Sequence, residues 1–135
     1  MHNSIILSKL SSAIDSVVPH NTDLIVLAGF MPILSKEFCQ KWSQKIINTH
    51  PSLLPKYGGI GMYGVKVQEA VMSSKEKYAG CSVHYVNEKL DNGQIILQKS
   101  FFIKKSDNEE ILKEKTQYLE YKAFAEAVIN IYRYN

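Results

Sequence analysis

Asp23-Leu24-Ile25-Val26-Leu27-Ala28 is a short, continuous apolar run that stops at Gly29. A run this short, rich in Ile, Val and Leu and free of polar alternation, suits a strand buried on both faces of a parallel sheet. Outward from it the periodicity changes. Upstream, Ile6, Leu10, Ala13, Ile14 and Val17 recur at helical spacing over residues 4–18, with Ser4 available as a cap, and Pro19 to Thr22 break the pattern. Downstream, Ser35 caps a helical stretch reaching Trp42, and Lys45 to Asn48 read as a second short strand. Helix, strand, helix, strand is the order of a layered α/β domain with a parallel sheet.

Residues 51–64 form a loop rich in Pro and Gly, and loops that long in a compact domain often carry function. Val65 to Lys77 reads as a helix with Val67, Ala70 and Val71 on one face. Gly80 to Asn87 alternates like a strand, Asp91-Asn92-Gly93 is a hairpin-type turn signal, and Gln94 to Ile103 forms the strand after it. Asp107-Asn108-Glu109-Glu110 is capping-box-like and opens a last helix reaching Tyr132. The expected fold is therefore a single α/β domain over residues 1–135, with a mostly parallel sheet, flanking helices and a C-terminal hairpin and helix.

Composition narrows the function. With 45% hydrophobic and 21% charged residues the chain can bury a core and is not disordered. Its net charge is +3, but the basic residues are interspersed with acids, as in Lys113-Glu114-Lys115, which argues against a nucleic-acid patch. Cys39 and Cys81 each lie in an apolar segment and read as free, buried thiols of a reducing cytoplasm. The N-terminus has no basic n-region, and no apolar run approaches the roughly 20 residues that span a bilayer.

The chemistry gathers in Asn48-Thr49-His50-Pro51-Ser52-Leu53-Leu54-Pro55. Side chains two apart on a strand share a side, so Asn48 and His50 can address one small volume. Pro51 pushes His50 towards extended geometry, which favours a strand end. An amide donor can hold a developing oxyanion and an imidazole can move a proton, the minimal equipment of acyl transfer. In open α/β sheets ligands bind outside the carboxyl ends of the strands, where this pair lies. Asp91 is either turn chemistry or a carboxylate that supports the charged form of His50. Gly59-Ile60-Gly61-Met62-Tyr63-Gly64 matches G-x-G-x-x-G in letters, but it does not follow a strand and is read as a loop beside the site. Gln117 and Glu120, three apart, share a helix face that is either solvated or turned to a ligand. His2, His20 and His84 show no metal-ligand spacing with His50, so no metal is expected.

From about Asp23 to Tyr132 the chain resembles the folate-dependent formyltransferases, most closely the branch that formylates glycinamide ribonucleotide in purine synthesis. The resemblance is carried by Leu27-Ala28-Gly29-Phe30-Met31 with Ile33-Leu34-Ser35, Asn48-x-His50-Pro51-Ser52-Leu53-Leu54-Pro55 and Gly80-Cys81-Ser82-Val83-His84-Tyr85-Val86. Leu90-Asp91-x-Gly93-x-Ile95-Ile96-Leu97-Gln98 and Gln117-x-x-Glu120 follow in order. It implies Asn48 as oxyanion donor, His50 as general acid/base and Asp91 as its orienting partner. It implies a site for the pterin of 10-formyltetrahydrofolate at Met31, Pro32, Ile33 and Leu34, with Asn48, Asn87, Glu88, Lys89, Leu90 and Asp91. Gln117 and Glu120 would meet the glycinamide end of the acceptor. The same family also contains formyltetrahydrofolate hydrolases and other formyltransferases, and an inactive folate-binding fragment is a third reading. Pro32 stands where relatives usually carry a basic residue, and no Arg or Lys stands at the place in the first helix expected to meet the folate tail, although Lys9 is nearby. The family's Gly-rich phosphate loop, which grips the acceptor at a helix N-terminus, has no counterpart here, so the chain matches roughly the C-terminal two-thirds of the family domain. That implies an open strand edge, marginal stability alone, and self-association or a complementary N-terminal fragment as partner.

Overall fold

The computed structural model describes residues 2–28 and 33–134. In chain order its elements are α1 (His2–Val17), β1 (Ile25–Leu27), α2 (Lys36–Lys41), β2 (Ile46–His50), α3 (Val65–Ser73), β3 (Tyr78–Tyr85), β4 (Ile95–Phe102) and α4 (Glu109–Tyr134). The four strands form one sheet in the order β1-β2-β3-β4. β1 and β2 are parallel, joined through α2, whereas β2/β3 and β3/β4 are antiparallel. The described sheet is therefore mixed. Apolar patterning fixes which face a side chain occupies but not the direction of the neighbouring strand.

Strand parity sorts the two faces. Ile46 packs with Leu34, Phe38, Cys39 and Trp42 beneath α2, and Ile14, Val18, Ile25 and Leu27 close that cluster. Ile47, Cys81 and Val83 point the other way, onto Ala123 and Ala127 of α4. The alanines let that long helix sit close to the sheet. A third cluster of Val67, Val71, Ala79 and Leu112 joins α3 to α4. β3 is consequently covered on both faces from Ala79 to His84.

Several boundaries differ from the sequence pattern. α1 begins at His2, so Ser4 lies inside it, and Val17 is exposed at 77% because the helix ends there before the turn to β1. β1 is shorter than the apolar run and only half-buried, with Val26 exposed at 47%, because β2 is its one strand neighbour among the described residues. β2 extends through His50, as the residue before Pro51 prefers. α3 ends at Ser73 rather than Lys77, since Lys75 takes φ 53° and cannot continue a right-handed helix. Ser35 does cap α2, its hydroxyl accepting from the Phe38 N–H at 3.2 Å. No helix among the described residues is long and apolar enough to cross a membrane.

Candidate active site

β2 and the segments around its carboxyl end build the site. The strand brings Asn48 and His50 to the α2 face and Thr49 to the α4 face, and all three are buried. After Pro51 the chain is pinned from below. Ser82 Oγ donates to the Ser52 carbonyl at 2.7 Å and accepts the Leu54 N–H at 3.0 Å. Gln98 Nε2 donates to the Leu54 carbonyl and to Ser82 Oγ, at 2.9 and 3.0 Å. β3 and β4 thus fix the segment that leads away from His50.

His50 is held at both ring nitrogens. Its Nδ1 lies 3.4 Å from Asp91 Oδ1, and its Nε2 lies 2.7 Å from the Tyr57 carbonyl oxygen. Both neighbours are acceptors, so the ring donates to both only when it carries both protons. Asp91 Oδ2 accepts the Gly59 N–H at 3.0 Å, and the carboxylate also stands 3.9 Å from His84 Nε2. The Asp91 contact that sequence left open is therefore made. The link from β3 to β4 is longer than a tight hairpin: Asp91 takes φ 54°, a left-handed conformation that Asp tolerates, and so reaches back to β2. Gly93 is needed beside it, because a Cβ there would overlap the Tyr85 carbonyl.

Charge in the site is shaped by burial. Burial alone would raise the Asp91 carboxyl, but the His50 hydrogen bond and charge, the Gly59 N–H and the nearby His84 together hold it below the usual carboxylate range. His84, sealed in the sheet, is pushed down by burial. Glu120 is pushed up by burial, against the opposing pull of the Thr49 hydroxyl, which donates to Glu120 Oε1 at 2.9 Å, and of His50. Cys39 and Cys81 are both free and buried, and burial lifts each thiol to about 11.

A cavity of about 260 Å³ wraps the end of β2. Asn48, His50 and Asp91 line it from one side, Gln117 and Glu120 from α4, and Gly59, Met62, Tyr63 and Gly64 from the loop ahead of α3. The G-x-G-x-x-G stretch is thus a loop beside the site, with Gly59, Gly61 and Gly64 all at positive φ. Behind Asn48 and Asp91 lies a smaller cleft of about 20 Å³, walled by Leu27, Ile33, Leu34, Asn87, Lys89 and Leu90. Most of the residues expected around a pterin border this cleft. Glu88 instead faces a depression beside Cys39. Met31 and Pro32 lie outside the described residues.

Sequence reasoning missed Thr49, Tyr57 and Gln68. The Tyr57 contact is made by a backbone carbonyl, which no residue type signals. Thr49 could have been found from parity, since a residue between Asn48 and His50 must face the opposite helix.

Comparison with known proteins gives a consistent answer. Residues 7–128 match the family model described as formyl transferase. The chain is 36% identical over 118 residues to the chloroplastic phosphoribosylglycinamide formyltransferase of Arabidopsis thaliana, covering 87% of this chain and 40% of that protein. A crystal structure of phosphoribosylglycinamide formyltransferase from Anaplasma phagocytophilum superposes with a TM-score of 0.74 at 37% identity, over 89% of this chain and 55% of that one. A formyltetrahydrofolate deformylase from Pseudomonas syringae gives the same TM-score at 28% identity, over 89% of this chain and 38% of that one. The chain spans well under two thirds of the length of these relatives.

Proposed function

This chain belongs to the formyl transferase family, and on that premise we propose that it takes part in moving a formyl group from 10-formyltetrahydrofolate to the amine of glycinamide ribonucleotide. The observation that carries this is His50, buried at the end of β2, with Asp91 at 3.4 Å and Asn48 two residues before it on the same cavity wall. In this reaction the acceptor amine attacks the formyl carbon and the carbonyl oxygen becomes an oxyanion. Asn48 donates to that oxygen, the kind of contact whose loss costs about 100- to 1000-fold in rate. His50 relays a proton from the attacking amine to the departing folate nitrogen, and the old C–N bond breaks. Exchange of the Tyr57 carbonyl for substrate at Nε2 would bring the ring proton into play, while Asp91 keeps the ring oriented through Nδ1.

The pterin would lie in the cleft formed by Ile33, Leu34, Asn87, Lys89 and Leu90, with Met31, Pro32 and Glu88 completing its rim. Gln117 and Glu120 would meet the acceptor from α4. We take residues 1–135 as one catalytic domain, working in the cytoplasm, where the unpaired Cys39 and Cys81 would stay reduced. Self-association, or a complementary N-terminal piece along β1, would cover the half-exposed Val26.

Likeness to a deformylase favours one second reading, in which water replaces the amine. The two are separated by following 10-formyltetrahydrofolate consumption with and without glycinamide ribonucleotide. Consumption that depends on the ribonucleotide, with formylated amine as product, supports transfer. Consumption at the same rate without it, yielding formate, would replace transfer by hydrolysis.

A further inference from the structure

Among the described residues, three buried side-chain atoms have no hydrogen-bond partner: Gln68 Oε1, Thr116 Oγ1 and His84 Nε2. An unpaired buried polar atom is costly and calls for an explanation. All three residues line the clefts around the end of β2. His84 belongs with Asp91. Gln68 and Thr116 stand on other elements than the Asn48–His50–Asp91 group, yet both border the main cavity, one from α3 and one from α4. Each is only 1% exposed. Thr116 also forgoes the partner nearest to hand, since a helical threonine can bond back to the carbonyl four residues earlier.

The chemistry of the two atoms defines what would satisfy them. Gln68 Oε1 only accepts, whereas the Thr116 hydroxyl both accepts and donates. Glu120, whose carboxyl burial pushes towards its neutral form, adds to the same wall a group that likewise accepts and donates. An ionised phosphate could take the Thr116 proton but has none to give to Gln68 Oε1. Neutral hydroxyl groups, which donate and accept, match both atoms. The cavity, at about 260 Å³, falls below the range of roughly 300–1,000 Å³ usual for a whole ligand, so it seats part of a substrate.

Resting on the acceptor proposed above, we infer that Gln68 and Thr116 are specificity-determining residues that receive the sugar hydroxyls of the amine substrate between α3 and α4. Their hydrogen bonds form only when the acceptor enters. Sites with buried polar groups built to pair a substrate hydroxyl discriminate strongly against analogues lacking it.

The test is calorimetric titration of the wild type, Gln68→Leu and Thr116→Val with glycinamide ribonucleotide and with its 2′,3′-dideoxy analogue, alongside folate titration and thermal melting. Both substitutions keep approximate shape and remove the unpaired oxygen. Each variant should weaken ribonucleotide binding about ten- to a hundredfold, leave the dideoxy analogue and folate unchanged, and melt at or above the wild-type temperature. If Gln68→Leu fails to fold, Thr116→Val carries the same comparison. Unchanged ribonucleotide affinity in the folded variants would overturn the inference, as would equal weakening towards both ligands or absence of ribonucleotide binding by the wild type. Ribonucleotide binding that depends on Gln68 and Thr116, but without formyl turnover, would refute transfer by this chain and uphold the subsite.

Discussion

Asp91→Asn isolates the carboxylate that faces His50. The two side chains are about equally buried, and Asp91 Oδ1 lies 3.4 Å from His50 Nδ1. When His50 carries both ring protons, the charge pair at that distance is worth about 5 kcal/mol at an effective dielectric of about 20. Desolvating both groups takes back part of this, leaving about 2–4 kcal/mol for the variant to lose. Asparagine also cannot accept at both Oδ positions, so either the His50 contact or the Gly59 N–H contact at 3.0 Å faces an amide NH₂ instead. If the support acts in the transition state, single-turnover formyl transfer should slow by roughly 30- to 1000-fold, with folate affinity little changed. Stability supplies an independent check. Asp91 has a folded-state pKa below its ordinary 3.8, so its stabilising contribution is present above that value and fades as pH falls through the folded pKa. Denaturant melts of wild type and variant should therefore differ at pH 7 and converge in acid. A gap independent of pH, together with near-normal transfer, would refute the idea that Asp91 acts on His50 through its charge.

Other consequences follow from burial and close approach. Glu120→Gln should gain stability relative to the wild type as pH rises above about 4.5, because the raised carboxyl pKa makes ionised Glu120 a burden only at higher pH; guanidinium melts at pH 4 and 8 check the sign. Gly93→Ala should cost about 1–3 kcal/mol in the same melts, since its methyl group would meet the Tyr85 carbonyl. Cys39 and Cys81, with thiols lifted to about 11, should resist alkylation at pH 8 in the native protein and react once it is unfolded, a difference that mass spectrometry reads directly.

Much of this molecule was legible because its local signals agree. The Leu24–Ala28 run, the Ser35 cap and the pairing of Asn48 with His50 ahead of Pro51 each mark a physical constraint that the fold obeys. What escaped depends on distant partners. Asp91-Asn92-Gly93 looks like a hairpin turn in isolation, and only the carboxylate's attraction to His50 and the Gly59 N–H shows why the loop is longer. The antiparallel pairing of Asn48 with His84 leaves no trace in apolar alternation. Nor does the residue type at position 57 announce that its carbonyl will hold an imidazole. Gln68 looks like one polar residue on an amphipathic helix, and its burial at 1% is visible only once α4 is laid beside it.

Transfer by wild type and His50→Ala, measured as formylated glycinamide ribonucleotide formed from 10-formyltetrahydrofolate under identical folate occupancy, tests the central claim most directly. The account predicts turnover in the wild type and a loss of at least about 100-fold in the variant. A His50→Ala protein that folds, binds folate and transfers the formyl group at the wild-type rate would contradict it.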